Sequence, residues 1–107
     1  MNLPRLLLAS LLALSAPAAI AGGDPAVGKK KSEPCKACHG EAGISVSQEF
    51  PNLAGQNADY MAAVLGHYKN GRRKNAIMQG QAANLSTRDI QDLSAYFSSL
   101  KGLAIKY

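Results

Sequence analysis

Apolar residues recur at helical spacing in two stretches of the 107-residue chain. From about Ala58 to Asn70 the apolar positions are Tyr60, Met61, Val64, Leu65 and Tyr68. Steps of three and four place them on one stripe of an α-helix, and Gly71 is a natural stop. From Ser86 to Leu100 a second stripe is made by Ile90, Leu93, Phe97 and Leu100, flanked by Tyr96. Ser86 can cap that helix, Asp89 favours the positive end of its dipole, and Gly102 ends it. A shorter, more polar helix is predicted from Pro25 to about Ser32, with Asp24 as N-cap and Pro34 ending it ahead of Cys35. Gly40 to Gly55 reads as loop, and Arg72 to Leu85 as irregular chain. No stretch alternates as a strand would, and there is no internal repeat. The fold class is therefore all-α, with three to four short helices.

Ahead of these elements lies a different pattern. Met1 to Arg5 is a short basic start, Leu6 to Leu14 an apolar run, and Ala19-Ile20-Ala21 a small-x-small cleavage site. That layout predicts a secretory signal peptide over 1–21, cleaved after about Ala21, and an exported domain over 22–107. The run is shorter than the ~20 apolar residues of a spanning helix, so no stable membrane insertion is expected after cleavage.

A domain this short is marginal on buried area alone and commonly needs a cross-link. The only two cysteines, Cys35 and Cys38, would close too small a loop to constrain much of the unfolded chain. Whatever staples the fold is something those two cysteines hold together. Lys and Arg number 12 against 7 Asp and Glu. Removing Arg5 with the signal leaves the balance positive, which suits acidic partners. Nucleic acid is excluded as a partner by export and by the lack of stacking aromatics among the basic residues.

Cys35-Lys36-Ala37-Cys38-His39 is C-x-x-C-H, the haem-attachment signature. Two thiols at this spacing can form thioethers with the two vinyl groups of one porphyrin. His39 then lies under the ring with an imidazole nitrogen free for iron. Three other readings compete. A thioredoxin-like pair needs a βαβ frame that the pattern lacks. Zinc could take Cys35, Cys38, His39 and His67, but adjacent Cys38 and His39 make a cramped chelate. A plain disulfide is the third.

Further residues extend the motif: Gly40, then Phe50-Pro51-Asn52-Leu53-Ala54-Gly55-Gln56, then Met78, then Leu85-Ser86 opening a helix with Ala95-Tyr96-Phe97. Together they resemble a small bacterial class I cytochrome c over essentially the whole mature chain. The likeness is to the periplasmic group whose di-haem members repeat this unit twice; this chain has one copy.

The resemblance implies the cytochrome c fold around one covalent haem c with its iron, held by Cys35 and Cys38. It implies His39 as one axial iron ligand and a methionine before the last helix as the other. Met78 fits that place; Met61, within an apolar stripe, and His67, beside it, are the rivals. The carbonyl of Pro51 is expected to accept a hydrogen bond from the second nitrogen of His39. Gly28 and Tyr96 are expected to mark the crossing of the first and last helices, because glycine in a helix costs stability without such a reason. Gln56 or Arg72 is a candidate to bond a propionate. Lys29, Lys30, Lys31 and Lys36, with Lys69, Arg72, Arg73 and Lys74, would form a ring steering acidic redox partners such as a reductase, oxidase or dehydrogenase. The implied function is one-electron transfer in the periplasm, with no catalytic residues and no enzyme activity of its own. The alternative is the cytochrome subunit of a periplasmic dehydrogenase, for example one oxidising sulfide or an alcohol.

Overall fold

The computed structural model describes residues 22–103. The expected signal peptide, 1–21, lies outside the described residues. Five α-helices follow in order: α1 Pro25–Lys31, α2 Lys36–His39, α3 Ala58–Lys69, α4 Ala76–Ala82 and α5 Thr87–Ser99. Among the described residues there is no strand, and no helix is long and apolar enough to cross a membrane.

Four of the five helices, all but α2, begin where a short polar side chain can take the orphan amides of the first turn. Asp24 Oδ1 accepts from the Ala26 N–H at 2.9 Å, Asn57 Oδ1 from the Tyr60 N–H at 3.0 Å, and Asn75 Oδ1 from the Met78 N–H at 3.0 Å. At α5 the cap is reciprocal. Ser86 Oγ accepts from the Asp89 N–H at 3.0 Å, and Asp89 Oδ2 accepts from the Ser86 N–H at 2.9 Å.

Two departures from the sequence reading stand out. Pro34 does not end the helical path but sits inside a 3₁₀ turn, Glu33–Cys35, that leads straight into α2. Proline is tolerated in a first turn, where its missing N–H is not needed. The stretch Arg72 to Leu85, expected to be irregular, contains α4. This helix is only seven residues long, carries Gly80 and buries Ala82 alone, so it has no apolar stripe to announce it.

Helices α1 and α5 cross at Gly28, as expected. A Cβ at Gly28 would lie 1.9 Å from the Asp92 carbonyl oxygen and 2.8 Å from Tyr96 Cβ, so only hydrogen fits there. Beside the crossing, Asp92 is 1 % exposed yet charged. It accepts from Lys31 Nζ at 2.7 Å and from the Asp24 N–H at 2.8 Å. Arg88 Nε is 3.4 Å away, and Lys31 also reaches Asp89 at 2.7 Å. A buried carboxylate is tolerable only with such partners. The apolar core, Met61, Leu93, Tyr96 and Phe97, joins α3 to α5, with Leu53, Leu65, Leu85 and Leu100 packed around it.

Candidate functional site: a cavity framed by Cys35, Cys38 and His39

Cys35 closes the 3₁₀ turn and Cys38 lies one helical turn further, so the continuous path through α2 carries both thiols past the same cavity. No disulfide joins them. Burial against the core pushes the Cys35 thiol up from its ordinary value.

His39 ends α2 and is 6 % exposed. Its Nδ1 lies 2.8 Å from the carbonyl oxygen of Pro51. A carbonyl can only accept, so Nδ1 carries the proton and Nε2 is left with its lone pair. The loop that brings Pro51 back is closed at Gly43, whose carbonyl accepts from the N–H groups of Leu53 at 2.8 Å and Ala54 at 3.0 Å. Gly43 has φ +71°, open to glycine and costly for other residues. Phe50 stands edge-on to His39 with ring centroids 6.5 Å apart.

These groups face a cavity of about 570 Å³. Its wall also includes Leu53, Met61, Val64, Leu65, Met78, Leu93 and Phe97. Met78 reaches it from the first turn of α4, half-buried. Of the rivals, Met61 lines the wall but is 6 % exposed within the core cluster, and His67 is not on the wall. Gln56 lines the cavity and Arg72 does not. The sequence reading missed the wall position of Arg73, whose guanidinium stacks over the Tyr68 ring at 5.3 Å from its centroid. It also missed the Lys31–Asp89–Asp92 cluster, although Asp89 and Asp92 share a face of α5 and three lysines end α1.

The competing readings of the cysteines lose their supports. Among the described residues no strand provides a thioredoxin frame, and no three His, Cys, Asp or Glu gather as a metal cage. An iron porphyrin fits instead. The cavity lies in the size range of about 300–1,000 Å³ for cofactor pockets. It offers two thiols, one oriented imidazole and apolar walls. An all-helical shell around such a site defines a c-type cytochrome.

The comparisons agree. The family profile described as Cytochrome c matches residues 26–101, and the chain belongs to that family. Its cofactor is haem c with iron. Cytochrome c4 of Pseudomonas aeruginosa is 42% identical over 98 residues, covering 91% of this chain and 49% of the relative. Cytochrome c-554(548) of Halomonas halodenitrificans is 42% identical over 80 residues, covering 72% of this chain and 96% of the relative. A thiosulfate dehydrogenase electron acceptor of Stutzerimonas stutzeri is 41% identical over 69 residues, covering 62% of this chain and 32% of the relative. The solved reduced cytochrome c4 from Pseudomonas stutzeri superposes with a TM-score of 0.73 at 40% identity, covering 77% of this chain and 48% of that one. The chain thus spans about half the length of the cytochrome c4 relatives and nearly all of cytochrome c-554(548).

Proposed function

We propose that this protein is a periplasmic one-electron carrier, exported with residues 1–21 as its signal, with His39 and Met78 as the axial ligands of its haem iron. The observation that carries this reading is that Met78 lines the same cavity as His39 and both cysteines. When bound, haem c supplies a one-electron iron couple. Cys35 and Cys38 would hold it through thioethers, and His39 Nε2 is free to ligate. The Pro51 carbonyl holds the His39 proton on Nδ1, which fixes the ring and would strengthen Nε2 as a metal ligand. Held to the iron by Met78, a thioether would favour the reduced state and would deny the metal to small ligands. Met61, Leu93 and Phe97 keep water from the cavity floor. No acid, base or nucleophile is required of the chain, so no reaction of its own is proposed. Exposed Lys69, Arg72 and Lys74 would steer an acidic redox partner.

The ferric absorption spectrum tests this reading. A low-spin spectrum with the weak far-red sulfur-to-iron band is expected. A high-spin spectrum, or ready binding of carbon monoxide by the reduced protein at neutral pH, would remove Met78 from the iron.

A second reading is favoured by the relative named as a thiosulfate dehydrogenase electron acceptor. In it the chain serves one dehydrogenase, as its bound subunit or dedicated acceptor. A stable partner retained through purification supports the subunit form. Elution as a lone polypeptide supports the free carrier.

A further inference from the structure

His39 stands at the end of a helix that has little to hold it. Helix α2 is four residues long, and no side chain caps its first turn. The last carbonyls of a helix have no partner inside it. At α2 the Lys36 carbonyl takes the Gly40 N–H at 3.0 Å, and the Cys38 carbonyl takes the hydroxyl of Ser45 at 3.2 Å. Ser45 has a second arm, because its N–H donates to Asn52 Oδ1 at 2.7 Å. Cys38 precedes His39 and Asn52 follows Pro51. One residue thus ties together the two flanks of the His39–Pro51 hydrogen bond.

The clip is preset by its own loop. Ser45 Oγ accepts from the Ser47 N–H at 3.1 Å and shares its proton with the Ser47 carbonyl at 2.8 Å, so a local turn holds the hydroxyl in place. The chain just before it has no slack. A Cβ at Gly40 would lie 1.9 Å from the Ile44 carbonyl oxygen, so the end of α2 is pressed against the residue preceding Ser45. The pinch at Gly43 fixes the loop beyond Asn52, at Leu53 and Ala54. Ser45 fixes it on either side of the imidazole contact itself.

We infer that Ser45, acting through Cys38 and Asn52, is the positioning residue that sets the His39 Nδ1–Pro51 hydrogen bond and so tunes His39 Nε2 as a ligand to the haem iron. This rests on the haem reading above. Ser45 does not line the cavity that holds the thiols and the imidazole, so its influence passes through its two arms. A tight hydrogen bond at Nδ1 makes Nε2 a stronger donor, which favours ferric iron and lowers the potential.

The test reads two quantities on the haem-loaded protein. One is the reduction potential, and the other is the solvent exchange of the His39 Nδ1 proton, followed by NMR in the reduced state. Ser45→Ala cuts the Cys38 arm. Its proton should exchange faster by on the order of tenfold, about the worth of one hydrogen bond. Its potential should rise while the absorption spectrum stays low-spin. Ser45→Thr keeps the hydroxyl and should bring both quantities back towards wild type. Asn52→Ala cuts the other arm from an exposed position and should shift both in the same direction, so it carries the test if Ser45→Ala is not recovered. Ser47→Ala removes a hydroxyl of the same loop that accepts only from the Glu49 N–H, at 3.2 Å, and should leave both unchanged. A Ser45→Ala or Asn52→Ala protein that melts earlier yet keeps wild-type exchange and potential would reduce Ser45 to a loop stabiliser and overturn the proposal. Equal shifts in Ser47→Ala would overturn it as well. A wild-type protein that matures without haem would overturn the reading beneath it.

Discussion

Nδ1 of His39 and the carbonyl oxygen of Pro51 lie 2.8 Å apart, although a whole loop separates them in the chain. The contact exists because that loop is pinched at Gly43, where one carbonyl takes two amides. Pro51 serves through its backbone, so substituting its side chain tests stiffness rather than the hydrogen bond. Gly43 is the residue that sets the geometry. Gly43→Ala must hold φ +71° with a Cβ 3.0 Å from the Ala54 nitrogen. A left-handed non-glycine residue costs about 1–3 kcal/mol, so unfolding in guanidinium should begin at correspondingly lower denaturant. The loosened hydrogen bond also makes imidazole a weaker donor, so the potential should rise. Unchanged stability and potential together would show that the loop does not hold His39.

Met78 and Met61 share one cavity wall but differ in what they pack against. Met61 is part of the core with Leu93, Tyr96 and Phe97, while Met78 belongs to a short helix with little burial of its own. For the proposed ligand, Met78→Ala should leave the haem attached, lower the potential by on the order of 0.1 V and open the reduced iron to carbon monoxide. That fall is modest against the ~0.8 V that axial ligands span. Met61→Leu conserves volume, so it should cost under about 1.5 kcal/mol and leave the far-red band in place. If Met61→Leu abolished the band and Met78→Ala did not, the ligand assignment would be reversed.

At the crossing of α1 and α5, Gly28 leaves no room for a methyl group. Gly28→Ala must push α1 away from Asp92 and Tyr96, because the obstacle nearest the new Cβ is backbone. Overpacking of this kind costs about 1–3 kcal/mol. Thermal unfolding should fall accordingly, while the spectrum of properly matured protein should stay low-spin, since neither Gly28 nor Tyr96 lines the cavity. A melting temperature equal to wild type would mean that α1 contributes nothing to the fold's cooperativity.

The parts of this fold legible in the sequence are those with a local signature. The attachment motif is five consecutive residues. The stripes of α3 and α5 recur at helical steps, and the Ser86–Asp89 cap is three residues long. Gly28 could be paired with Tyr96 because glycine inside a helix needs a reason. What escaped depends on contacts between segments. Helix α4 lacks a stripe because its main opportunity for contact is the cofactor cavity, so periodicity had nothing to report. Arg72 and Arg73 are adjacent and identical in type, and only the turn after α3 decides which one reaches the cavity wall. Lys31 looked like surface charge because the two carboxylates it joins lie sixty residues away in the chain.

That last cluster makes a pH-dependent clamp between the first and last helices. Its hydrogen bond with Lys31, aided by the Ser86 cap, holds the Asp89 carboxyl at about 2, below its ordinary 3.8. The same lysine, with the Asp24 N–H, lowers Asp92. Depressed carboxyl pKa values contribute stability that is complete above pH 3.8 and is lost as pH falls towards 2. Asp89 and Asp92 in turn raise Lys31 above 10.5, so its contribution is complete below that pH and is lost only as pH climbs through the raised value. The denaturation midpoint should therefore hold steady through neutrality, drop between about pH 4 and 2, and drop again above 10.5. Lys31→Met removes the partner common to both carboxylates. It should flatten the acid limb and abolish the alkaline contribution, at the cost of a lower plateau near pH 7, where Asp92 is left buried with only Arg88 and an amide. A variant whose acid limb matched wild type would show that the clamp carries no linkage and that other groups set the acid transition.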